Sequence, residues 1–178
     1  MARGLAMNKQ RQFRWWHALL ILALANATSA LPAGFGGDFA FYNAFRQPMI
    51  APPDWVFAPV WLVLNVTSLV ALHRIANASL ESSWRTAFLW SEGVGWVLFS
   101  IFTTVYFLLH SPVLAAADTV AGFVAGLVSL ACASRIDRLS AGFILLRVLW
   151  LALATYVSVY VAWFNPDHFL GLSIGIGP

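Results

Sequence analysis

Two opposite charges and two deep indoles are the side chains of this chain that could do chemistry: Glu92 and Arg147, Trp61 and Trp150. Glu92 and Arg147 lie about seven and six residues inside apolar runs, counted from run ends that share a face. That puts both about 9–10 Å deep at about 1.5 Å per residue. A charge in hydrocarbon costs roughly 2.5–3.5 kcal/mol, so such residues are usually paired, turned inward and functional. Glu92, Trp96, Phe99 and Thr103 recur at i, i+4, i+7 and i+11, which is one helix face. Arg147, Trp150 and Ala154 make a matching stripe on another run. The level depths predict an ion pair between Glu92 and Arg147. The competing reading is independent snorkelling of the two side chains to the interface, which about two turns of depth allow.

The chain carries nine tryptophans. Trp15, Trp16, Trp55, Trp84 and Trp163 stand near run ends and fit an interfacial belt. Trp61 and Trp150 lie deeper, about six and nine residues in. Facing indoles would give a planar conjugated ligand flat, polarisable walls, and they are oxidisable; plain packing is the alternative. His17, His73, His110 and His168 are scattered over both faces, so no metal centre is expected. No phosphate loop, nucleophile–base pair or pair of catalytic carboxylates can be read. The single cysteine, Cys132, excludes an intrachain disulfide and reads as an inert buried thiol.

The elements that must position these residues are apolar. Of 178 residues, 61% are hydrophobic and 10% charged, against about 25% charged in a soluble domain. Lipid is therefore the solvent. Runs at about 15–32, 55–72, 85–109, 113–133 and 141–164 are each long enough to cross a core of about 30 Å. The fold class expected is all-α: a bundle of five transmembrane helices over residues 15–165, with a basic tail 1–14 and a Gly-rich, loosely ordered tail 166–178. The basic start and the small residues after the first run also fit a cleavable signal peptide, but a retained first span suits the four later ones. Arg74, Arg85, Arg135 and Arg138 collect with the basic tail on one face, which places the N-terminus in the cytoplasm. The net charge of +3 forms no basic face, so nucleic acid is not an expected partner. Gly122 and Gly126 form a GxxxG that could serve as a homodimer seam. Asp118 reads either as a helix-start charge or as a proton or ligand group. Asp38, Asp54 and Arg46 could form ion pairs in the first loop.

The stretch 41–65, FYNAFRQPMIAPPDWVFAPVWLVLN, organises the rest. Pro52 and Pro53 suit a helix start, Asp54 then complements the helix dipole, and Pro59 should kink the helix that begins there. Together with LLHSPVLAAAD, RIDRLSAGFILL and WLALATYVSVYVAWFN, it resembles the TspO/MBR family over roughly residues 40–165. That resemblance implies five transmembrane helices, often dimeric. It also implies a pocket under the first loop for tetrapyrroles such as protoporphyrin IX, sterols or benzodiazepine-type ligands. Some bacterial members of the family promote light-dependent porphyrin breakdown. By resemblance, Trp61 and Trp150 are the tryptophans tied to pocket and breakdown, and Tyr42, Pro52, Phe57 and Phe102 match other pocket positions.

The chain departs from the family pattern at Phe41 and Ile50 (usually Trp), Gln47 (usually Lys), Phe99 (usually a pocket Asn) and Arg147-Val148 (usually Pro-Tyr). The expected function is a membrane binding protein for a planar hydrophobic ligand, most of all a tetrapyrrole, with no cofactor beyond that ligand. The alternatives are light-dependent porphyrin degradation and transport of porphyrin or sterol. In one variant the bidentate fork of Arg147 meets a ligand carboxylate such as a porphyrin propionate.

Overall fold

Helix starts in this chain are set by short polar residues and prolines. In the computed structural model, which describes residues 12–33, 39–79 and 82–175, these signals delimit a helical bundle. The basic residues 1–11, the GFGGD segment with Asp38, and residues 80–81 lie outside the described residues. The elements are α1 Trp15–Ala33, α2 Phe39–Ala44, α3 Asp54–Ala76, α4 Ser83–Thr103, α5 Pro112–Ile136 and α6 Arg138–Phe164. A π-helical turn, Thr104–Leu108, continues α4. Four spans of 23 to 27 residues are long and apolar enough to cross a membrane, and α1 contributes a shorter apolar helix. With the short α2 lying in the first loop, the chain is a five-helix transmembrane bundle.

Ser82 caps α4 by accepting from the Arg85 N–H at 3.2 Å, and Ser111 caps α5 by accepting from Leu114 at 3.2 Å. Pro112 fills the first turn of α5, where its missing N–H leaves nothing unpaired. α3 extends past the predicted Leu72 to Ala76 because its polar end finds partners. Arg74 Nε donates to Asp137 Oδ2 at 2.7 Å, and Asn77 Nδ2 donates to the His73 carbonyl at 3.0 Å. Asp137 also caps α6, accepting from the Ser140 N–H at 3.1 Å. The Arg74 hydrogen bond, reinforced by Ser140, holds the Asp137 carboxyl well below the usual carboxylate range. The turn between α5 and α6 is thereby cut to one residue.

The GxxxG of α5 is used inside the chain. A Cβ on Gly126 would lie 3.3 Å from Val148 Cγ2 and 3.4 Å from Leu151 Cδ1, both on α6. Both glycines are buried, and their small size serves the α5–α6 contact. Two apolar clusters bracket the bundle. One gathers Leu72, Ile75, Phe88, Trp96, Ile144 and Val148; the other gathers Tyr42, Tyr106 and Ala115 with Phe41, Phe57 and Phe102.

The expected loose tail is corrected at its first residues. Asp167 is 1% exposed. Its carboxylate accepts from Ser111 Oγ at 2.6 Å, the Val113 N–H at 3.0 Å and the Leu170 N–H at 2.8 Å. Asp167 and Leu172 also pair through both backbone N–H groups. The tail thus returns to cap α5, a long-range partnership that local Gly content cannot reveal. Burial alone would raise the Asp167 carboxyl, but the hydrogen bonds from Ser111 and the backbone amides outweigh it and hold the group below its ordinary value. A depressed folded-state pKa means that the stabilisation is present above the unfolded value of about 3.9 and is lost as pH falls through the folded one. Asp167→Asn is expected to cost about 2 kcal/mol, read as a lower midpoint in detergent-solubilised thermal unfolding at pH 7. The gap from the parent protein should narrow below about pH 4; an equal gap at all pH values would assign the effect to packing.

Candidate functional site

Helices α1, α3, α4, α5 and α6 line a cavity of about 550 Å³ beneath the first loop. Its wall is aromatic on the α3, α4 and α6 sides, while α5 presents mostly small residues such as Ala115, Gly122 and Gly126. α3 supplies Phe57 and Trp61, four residues apart; α4 supplies Trp96, Phe99 and Phe102; α6 supplies Trp150. The rings lock one another edge-on. Phe57 meets Trp150 at 5.6 Å and 69°, and Trp61 meets Phe99 at 5.3 Å and 51°. Edge-to-face pairs of this kind are favoured over a face-to-face sandwich by the ring quadrupoles. Tyr42 and Pro52 close the loop end. All eight residues expected at a ligand site (Tyr42, Pro52, Phe57, Trp61, Phe99, Phe102, Arg147 and Trp150) line this one cavity.

The lid is tied by polar contacts. Tyr42 Oη donates to the Pro52 carbonyl at 2.9 Å, and Gln47 Nε2 donates to the Tyr42 carbonyl at 2.6 Å. Burial, with the nearby Asp54, pushes the Tyr42 phenol up to about 12, so it remains a donor at neutral pH. The expected loop ion pair between Asp54 and Arg46 is not how these residues are used. Asp54 Oδ2 accepts from Asn43 Nδ2 at 2.9 Å, while the Arg46 guanidinium sits 5.1 Å from the Phe164 ring centroid. The Arg46 backbone also exchanges hydrogen bonds with the Asn165 side chain at 2.8 and 3.0 Å, tying the loop to the end of α6. Trp55, 70% exposed, lines the cavity from its rim, so the slot opens beside the start of α3. Trp15, Trp16, Trp84 and Trp163 are exposed, as belt residues are.

At the opposite end Glu92 and Arg147 face each other across α4 and α6. Arg147 Nη1 donates to Glu92 Oε2 at 2.9 Å, and Nη2 donates to Oε1. Glu92 is 1% and Arg147 8% exposed, so the two side chains meet inside the bundle instead of snorkelling apart. Two of the five guanidinium N–H groups of Arg147 are thus taken by a carboxylate of this chain. Arg147 lines the cavity and Glu92 stands behind it.

Two more residues line the cavity: Asn65, which the sequence pattern does not single out, and Trp96, which it places on the Glu92–Phe99 face without a site role. Asn65 lies on the Trp61 face one turn on, and Trp96 one turn from Glu92. Their i+4 spacing from the singled-out residues was the available signal. Asp118 also reaches the wall, with Oδ1 lacking a hydrogen-bond partner. Among the described residues, no three His, Cys, Asp or Glu side chains gather as a metal site. The arrangement is suited to enclosing a flat apolar molecule between indole and phenyl faces.

Comparison with known proteins accords with this architecture. The profile of the TspO/MBR family matches residues 17–164. Tryptophan-rich protein TspO of Chlorobaculum tepidum is 25% identical over 174 residues, covering 90% of this chain and 100% of that protein. Protein CrtK of Rhodobacter capsulatus is 23% identical over 96 residues, covering 52% of this chain and 60% of that protein.

Proposed function

This chain belongs to the TspO/MBR family of multi-pass membrane proteins, and on that premise we propose that its cavity binds a planar hydrophobic ligand, a tetrapyrrole such as protoporphyrin IX. The observation that carries this reading is the convergence of Trp61, Trp150, Phe57, Phe99 and Phe102 on one slot of about 550 Å³. That volume lies within the range of about 300–1,000 Å³ typical of small-molecule sites. Ring faces supply area and stacking at little conformational cost, while Tyr42 and Pro52 cover the guest. The charged propionates of a porphyrin then sit at the rim beside Trp55, where water reaches them.

Arg74, Arg85, Arg135 and Arg138 lie at the α3–α4 and α5–α6 turns. By the positive-inside rule that end faces the cytoplasm and the lid faces outward. A second reading, light-dependent porphyrin breakdown, is favoured by the presence of two oxidisable indoles in the wall of the same slot.

Titrating purified protein with protoporphyrin IX tests the proposal. A saturable, one-site Soret shift with quenching of tryptophan fluorescence is expected. A response that rises linearly, as partition into detergent does, would remove the support for this ligand class.

A further inference from the structure

We propose that the turn between α5 and α6 holds the headgroup of an anionic phospholipid, with the phosphodiester on Arg135 and Arg138 and the glycerol region against Trp84. This site lies at the end of the bundle away from the lid and is independent of what the cavity takes.

Among the described residues this end carries Arg14, Arg74, Arg85, Arg135 and Arg138 against one acid, Asp137. The undescribed segments next to it add Arg3, Lys9, Arg11 and Glu81, so the excess stays positive. Two of these arginines are committed to the protein. Arg74 sets Nε and Nη2 on the two Asp137 oxygens at 2.7 and 3.1 Å. Arg85 donates through Nε to the Ile75 carbonyl at 3.2 Å and through Nη2 to the Ala76 carbonyl, which closes the end of α3. Arg135 and Arg138 are exposed, and among the described residues their guanidinium groups meet no carboxylate or carbonyl. Asp137 lies between them in sequence but leaves their charge standing, because Arg74 already balances it.

Two features distinguish this pair from an ordinary solvated edge. The Arg135 guanidinium carbon stands 5.6 Å over the Trp84 ring centroid. That cation–π contact joins the end of α5 to the start of α4, and it leaves the guanidinium N–H groups free for the paired oxygens of a phosphate. The second feature is depth. Trp84 lies in the first turn of α4 and Leu139 in that of α6, and they are 47% and 53% exposed. Indoles at span ends sit at headgroup level, so the two guanidinium groups meet lipid phosphate there. A zwitterionic lipid brings the same phosphate with a cation attached, which two uncommitted arginines repel. An anionic lipid such as phosphatidylglycerol brings the phosphate alone.

The test uses the full chain, purified in an uncharged detergent and freed of lipid. Dioleoylphosphatidylglycerol and dioleoylphosphatidylcholine are titrated separately, with bound lipid read by native mass spectrometry and the unfolding midpoint by a thermal scan. Phosphatidylglycerol is expected to bind about tenfold more tightly, the scale of two basic residues at an anionic surface, and to raise the midpoint further. In Arg135→Gln/Arg138→Gln the preference should fall towards one. Each single variant should lose about threefold, so the result does not depend on the double variant folding. Arg46→Gln, at the lid end, should keep the preference.

Equal affinity of the parent protein for the two lipids would overturn the inference. So would a preference undiminished in the arginine variants, or one lost equally in Arg46→Gln, since either would put the anionic lipid elsewhere. An equal rise in midpoint with inorganic phosphate at the same concentration would overturn the assignment to lipid.

Discussion

Arg147→Ala alone is expected to destabilise the folded protein by about 3–5 kcal/mol, the usual cost of stripping one partner from a buried ion pair. Glu92 is 1% exposed, and the substitution removes the two side-chain donors to its carboxylate. The residue left behind is then a buried charge without its partner. Replacing both partners should behave differently. Glu92→Leu/Arg147→Met removes two charges and adds apolar side chains of comparable volume, so most of the loss should be recovered. Thermal unfolding in one detergent, with Glu92→Gln, Arg147→Gln and their double variant as a cycle, separates the pairwise term. If the two single effects simply add, the contact contributes nothing as a pair.

Trp150→Ala is expected to weaken protoporphyrin IX binding about thirtyfold, on the order of 2 kcal/mol, the scale of a buried aromatic anchor. Trp150 both faces the slot and holds Phe57 edge-on at 5.6 Å, so its loss removes one wall and frees the neighbouring ring. Trp150→Phe keeps a flat face and should fall between the two. Trp163→Ala, exposed near the end of α6, serves as the control for nonspecific loss of an indole. A Soret titration of the four proteins reads the result. Equal affinities for Trp150→Ala and Trp163→Ala would show that porphyrin binds elsewhere. Under illumination, new porphyrin products that vanish in Trp61→Phe or Trp150→Phe would favour the degradative reading. Their absence from the parent protein would leave binding as the whole activity.

The five-helix architecture was legible along the chain because lipid imposes a length and a composition on each span, and both are local properties. The level depths of Glu92 and Arg147, and the one-turn repeats linking Glu92 to Phe99 and Trp61 to Asn65, arise from helical geometry in the same way. What needed the tertiary structure were relations between distant segments. The α5 glycines permit a close helix contact, but that Val148 and Leu151 of α6 lie against them is seen only in the folded bundle. Asp167 looked like part of a loose tail because its partners, Ser111 and the start of α5, lie more than fifty residues earlier. The occupancy of the Arg147 fork also emerged only in three dimensions. Sequence gives the charge and its depth, but a hydrogen bond is fixed by where two side-chain tips meet, and that is a property of packing.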